Sequence, residues 1–164
     1  MRSSRSVVAA LLCSSALIAG AVAVALASPA QDVTPLLLAR GSFPAFNVAS
    51  FPDNGGLYKA QAKGPIDVVV RQHTYLAGGF TGWHAHPYPV LITVKEGTLT
   101  FYDAFDPTCT PLRLSAGQGY VDSGKGHMVR NESGATAIDV SVIMAPVGAP
   151  FRSELVAPNP YCGF

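Results

Sequence analysis

From Ser42 onward the apolar residues come in short runs, each closed by glycine, proline or a small polar residue, and after Pro35 no stretch keeps a helical period. Alternation and turn punctuation predict strands at Phe43–Val48, Leu57–Ala62, Ile66–Leu76, Val90–Glu96, Thr98–Asp103, Leu112–Ser115, Gly119–Asp122, His127–Asn131 and Thr136–Met144. The turns between them fall at Asp53-Asn54-Gly55-Gly56, Lys63-Gly64-Pro65, Gly78-Gly79, Glu96-Gly97, Asp106-Pro107, Ala116-Gly117 and Ser123-Gly124. Many short strands with such turns point to an all-β sandwich or barrel. Leu36-Leu37-Leu38 has the composition for one helical turn at most. The pattern divides the chain into an extension at 28–41, a barrel at 42–146 and a proline-rich tail at 147–164 that reads as an extended surface segment.

The first 27 residues have a different character. Arg2 and Arg5 precede an apolar, small-residue run from Val7 to Ala27, and Ala25-Leu26-Ala27 has the small-x-small form read by signal peptidase. This predicts export, to a secreted, periplasmic or cell-envelope location; a run of this length is also just enough for an uncleaved membrane anchor. Cys13 does not read as a lipidation site, because bulky Leu12 precedes it inside the apolar run. Loss of Arg2 and Arg5 with the leader moves the formal charge from +1 to −1, since no acid leaves with them. No basic stripe remains, which excludes a nucleic-acid partner on electrostatic grounds. Cys109 and Cys162 are then the only cysteines of the exported chain, and an even pair in an oxidising compartment predicts a disulfide clamping the tail to the loop around Asp106-Pro107.

Chemistry concentrates in Gly78–Gly97, GGFTGWHAHPYPVLITVKEG. On an extended strand side chains alternate, so His84 and His86 share a face with Cα atoms about 6.6 Å apart. That spacing lets two imidazoles converge on one ion, and His127, in DSGKGHMVRN, supplies a third ligand.

These two segments resemble the motifs of the cupin superfamily. Gly78, His84, His86 and Gly97 fall in register with its first motif; Gly124, His127 and Asn131 match the second. The resemblance implies a single-domain, all-β cupin-like barrel, a double-stranded antiparallel β-helix or jelly roll, with His84, His86 and His127 facing inward as metal ligands. Two positions depart from the pattern: Asp122 stands where proline is usual, and Val90 stands where a metal-binding glutamate is expected. A three-histidine site is therefore what the resemblance supports, with Ile92, Val94 and Phe101 or Tyr102 lining a mostly apolar pocket.

Imidazole ligands suit a divalent transition metal, iron, zinc, copper, nickel or manganese, rather than magnesium or calcium. Tyr88 and Tyr102 are the nearest candidates for a proton donor. His73, beside Gln72, is a candidate second-sphere partner; a lone strand histidine is more often simply exposed or hydrogen-bonded, and that is the stronger reading here. Trp83 has parity opposite to His84 and packs outside the pocket, Glu96 is a turn residue, and Asn131 fixes local backbone. Two functions stay open: a metal-dependent oxidoreductase, hydrolase or isomerase acting on a small molecule, and a non-catalytic module binding a small ligand or metal. A cell-envelope scaffold pairing through exposed sheet edges into a homodimer is a third.

Overall fold

The structure is a computed structural model that describes residues 28–53, 55–156 and 159–164; the expected leader lies outside them. Twelve strands follow in order among the described residues: β1 (Gln31–Phe43), β2 (Phe46–Ser50), β3 (Tyr58–Ala62), β4 (Ile66–Phe80), β5 (His84–Ala85), β6 (Val90–Glu96), β7 (Thr98–Asp103), β8 (Leu112–Ser115), β9 (Gly119–Asp122), β10 (His127–Arg130), β11 (Ala137–Pro146) and β12 (Ser153–Glu154). None of the described residues is helical. Ten strands form one antiparallel sheet curled into a nearly closed barrel, and β2 and β3 form a separate hairpin. The all-β expectation holds.

The 15-residue β4 organises the barrel because both of its edges are paired. β11 runs along one edge from Ala137 opposite Tyr75 to Pro146 opposite Ile66. β1 covers the other from Gln31 to Phe43. Residues 28–41 are thus mostly strand rather than an extension, and Leu36-Leu37-Leu38 is extended chain rather than a helical turn. The reason is positional: an unpaired edge of β4 would leave a row of backbone donors and acceptors without partners, and the leucines of β1 meet that need while staying about half exposed. The expected strand Phe43–Val48 is split at Pro44 and Ala45; proline has no N–H to offer a ladder.

β1 is also fixed by charge. The Asp67 carboxylate on β4 accepts from Arg40 Nε at 3.0 Å, from Ser42 Oγ and from the Gly148 N–H at 3.1 Å. These donors hold its pKa at about 2, the Ser42 hydroxyl first and Arg40 next.

Alternation fills the core. Val90, Ile92 and Val94 of β6 point inward beside Leu99, Phe101 and Val129. Trp83, of opposite parity to its neighbour His84, joins Tyr102 and Met128 in a second cluster on the outer side of the barrel wall. That cluster is roofed by the C-terminal segment, in which Cys162 is bonded to Cys109. The expected disulfide is present, but the segment is more than a surface tail: β12 pairs with β5, setting Glu154 opposite His84.

Two outcomes test this description. Closing a loop with a sequence separation of 53 is worth about 4 kcal/mol on the chain-entropy account, so C109S/C162S should lower the melting temperature by many degrees; an unchanged value would mean that the tail is not held through this bond. Asp67→Asn should lower stability at neutral pH and flatten the acid limb of the pH–stability curve. The depressed pKa contributes stability above the unfolded carboxylate value, and this is lost as pH falls from about 4 towards 2. A variant with the same acid limb as the wild type would contradict the assignment.

Candidate metal centre

β5 and β10 lie side by side with His127 opposite His84, and the chain leaving β5 bonds the turn before β10 through His86 N–H to Gly124 O, 3.0 Å. Gly124 makes this approach possible. Its φ is +87°, and a Cβ there would lie 2.9 Å from His86 O, so a side chain would push the β9–β10 turn off the first histidine segment.

One ring nitrogen from each of His84, His86 and His127 lies within 4.8 Å of those from the other two. Ring centroids are 4.4 Å apart for His84 and His127, 4.9 Å for His84 and His86 and 5.4 Å for His86 and His127. All three are buried.

Each Nδ1 is turned onto an acceptor. His84 Nδ1 meets Gly82 O at 2.9 Å, and His86 Nδ1 meets Phe151 O at 2.7 Å. Carbonyl oxygens only accept, so these nitrogens carry the proton and Nε2 keeps its lone pair. His127 Nδ1 lies 3.1 Å from Asp122 Oδ2, off the line of an ideal hydrogen bond, and neither atom has another hydrogen-bond partner among the described residues. A carboxylate or carbonyl behind each imidazole is the support that metal-ligating histidines need to fix tautomer and ring orientation.

Charge within the cluster is disfavoured. Burial pushes the His84 pKa well below its ordinary value, with repulsion from His127 second; burial likewise lowers His86 to about 4. Asp122 stays ionised: burial opposes this, but the contact with His127 and the Gly124 N–H bring its pKa below the usual carboxylate value.

The histidines line a narrow cavity of about 20 Å³. Val90 and Ile92 form its apolar wall. Val90 is fully buried and directly opposite Asp122 in the β6–β9 ladder. The carboxylate absent from position 90 thus reappears across the ladder at 122, behind His127 rather than among the candidate ligands. The sequence reading passed over Asp122 as a turn residue; its position five residues before His127 was the available signal.

The opposite wall comes from β4 and β11. Asp139 receives Tyr75 Oη at 2.6 Å and Ser141 Oγ at 3.1 Å, and lies 2.9 Å from His73 Nδ1. His73, Tyr75, Asp139 and Ser141 all line the cavity with Arg71. His73 is therefore held by a buried carboxylate on the wall of the cavity that the three histidines also line. The tail adds Phe151 and Arg152.

The two candidate tyrosines lie elsewhere. Tyr88 is 40% exposed and lines a separate apolar groove with Phe46 and Tyr58. Tyr102 packs in the outer cluster and donates to Glu132 at 2.8 Å, with its pKa raised to about 12, by burial first. Neither borders the histidine cavity. Phe101 and Val94 are core residues beside it, and Asn131 donates to Tyr75, Leu76 and Ala135 carbonyls as a backbone brace.

No protein-family model matches the chain, and no curated protein does. Among solved structures it is similar to the polyketide cyclase RemF from Streptomyces resistomycificus, with 18% identity, 82% of this chain and 80% of that one covered and a TM-score of 0.51. A double-stranded β-helix protein from Klebsiella pneumoniae is 19% identical over 68% of this chain and 84% of its own, TM-score 0.46. A cupin domain of an XRE-family transcriptional regulator from Enterobacter cloacae is 18% identical over 68% and 95%, TM-score 0.43. At these identities the likeness is one of fold.

In metal-free protein, His86 should remain neutral by NMR down to about pH 4. Because this depressed pKa belongs to the folded state, acid should cost stability as pH falls from the unfolded imidazole value near 6.5 towards 4. A His86 titration near 6.5 would contradict the buried, neutral cluster.

Proposed function

We propose that the chain, whose fold is like that of a solved polyketide cyclase and whose histidine motifs resemble those of the cupin superfamily, holds one divalent transition metal through His84, His86 and His127 and acts on a small molecule in the adjoining cavity. The observation that carries this reading is the set of three Nδ1 contacts, which leave three Nε2 lone pairs within one buried cluster. Buried lone pairs need a hydrogen-bond donor, a proton or a cation, burial disfavours the proton at His84 and His86, and three lone pairs that converge suit one cation best.

A metal there supplies Lewis acidity, undiminished by any anionic ligand. The chain's own residues supply the rest. Val90 and Ile92 exclude water from one side. Asp122 orients His127 and offsets charge through it. His73, oriented by Asp139, presents its other ring nitrogen as the group that takes or gives a proton. This favours proton-transfer chemistry, isomerisation or hydrolysis, on a small molecule. The disulfide is of the kind an oxidising compartment favours. The non-catalytic alternative is supported by Val90, which removes a carboxylate from the ligand set.

Protein purified without chelator should contain close to one equivalent of a single transition metal, lost in H84A and H127A. D122A should bind that metal about 10–100-fold more weakly, while H73Q should retain it. Absence of metal from every form, after reconstitution with zinc, iron, copper, nickel and manganese, would refute the reading.

A further inference from the structure

Beside the cavity, sharing lining residues of β4 and the tail with it, lies a wider hollow of about 420 Å³ whose wall includes Val33 and Pro35 of β1. Arg71, His73, Thr81 and Arg152 belong to both walls, so two guanidinium groups stand where the cavity and the hollow adjoin.

These two arginines are not equivalent. Arg152 is committed: its Nη2 donates to Thr81 O at 2.7 Å and to Glu154 Oε2 at 2.8 Å, and its Nε donates to Glu154 as well. Arg71 has neither a hydrogen-bond partner nor a carboxylate at ion-pair distance among the described residues. It is positioned only by packing, with Cζ 5.2 Å from the centre of the Phe151 ring, a contact that holds the side chain while leaving its N–H fork available. Burial, and after it the neighbouring Arg152, lower its pKa, and the Asp139 charge opposes them without a hydrogen bond to the guanidinium. The nearby carboxylates, Asp139 and Glu154, are already engaged by the Tyr75–His73–Ser141 group and by Arg152.

One guanidinium with no hydrogen-bonded partner at the throat of a narrow cavity matches one negative charge, and its planar fork fits the two oxygens of a carboxylate. A phosphate dianion would call for more donors than this throat has free. We infer that the molecule this site takes is a small monocarboxylate, gripped through its carboxylate by Arg71 and directed with its other end towards His84, His86 and His127. The place of the reacting end rests on the proposed function; the carboxylate grip does not, because Arg71 stands clear of the candidate ligands. Arg71 is thus a specificity-determining residue, and neutral molecules of the same shape are excluded by leaving it unpaired in the throat.

The test titrates metal-free protein, and in parallel zinc-treated protein, with propionate, its neutral near-isostere propionamide and inorganic phosphate, by calorimetry. Propionate should bind metal-free wild type at least tenfold more tightly than either other probe. R71Q should lose at least tenfold for propionate and nothing for propionamide, with R71K in between. Propionate and propionamide binding alike, phosphate binding most tightly, or R71Q binding propionate as the wild type does would each overturn the inference. Should R71Q fail to fold, NMR of the wild type decides: the Arg71 Nε–H resonance must move with propionate and not with propionamide, and a stationary resonance overturns the inference. Zinc taken up with propionate indifferent to R71Q would defeat this inference alone. Propionate held through Arg71 in protein that takes up no metal would defeat the metal reading alone.

Discussion

Three imidazoles can share one buried cluster only if no two of them are charged at once. A pair of unit charges at the 4.8 Å limit of this cluster would repel by on the order of 3 kcal/mol at an effective dielectric constant of 20, and there are three such pairs. Neutrality in turn requires that each ring's one N–H find an acceptor, and the three acceptors come from three parts of the chain. Gly82 O lies just before β5, Asp122 ends β9, and Phe151 O belongs to the segment beyond the barrel. The ladder β5–β10, the β9–β10 turn and the returning tail are therefore parts of one device. The disulfide and the β5–β12 pairing hold the last of them in place.

That dependence explains what could be read in the residues beforehand. Strand positions from β6 to β10 follow local alternation and glycine turns, and the histidine spacing is a property of single strands, so both were legible. β1 was not. Its hydrophobic row stays half exposed, and only the unpaired edge of β4, a long-range requirement, makes it a strand. The tail was misjudged for the same reason: nothing in its prolines reveals that Phe151 would supply an acceptor to a histidine 65 residues away.

The cavity wall carries a subtler lesson. In β11, AIDVSVIMAP, the larger apolar residues Ile138, Val140, Val142 and Met144 are only partly buried, while Ala137, Asp139, Ser141, Ile143 and Ala145 face inward. A hydrophobic-in rule assigns this strand the wrong way round. The inversion is affordable because Asp139 is satisfied by Tyr75, His73 and Ser141; a buried carboxylate without such partners would cost several kcal/mol. An inverted strand paired with one carrying an arginine and a histidine was the available sign of a polar cavity. The two candidate tyrosines, Tyr88 and Tyr102, are by contrast kept out of it by the Pro87–Pro89 bend and by parity.

Asp122 ties these observations to the site's chemistry. With valine at position 90 the ligand set carries no charge, and the cross-strand carboxylate tunes His127 from behind instead. The arrangement predicts a particular coordination: three imidazoles, each bound through Nε2 and none through Nδ1, with no carboxylate in the inner shell. X-ray absorption together with anomalous diffraction from crystals of the metal-loaded protein measures this directly. The account predicts one ion with His84, His86 and His127 nitrogens at about 2.0–2.1 Å and Asp122 outside bonding distance. An ion bound by Asp122, coordination through any Nδ1, or an ion located away from these three histidines would contradict it.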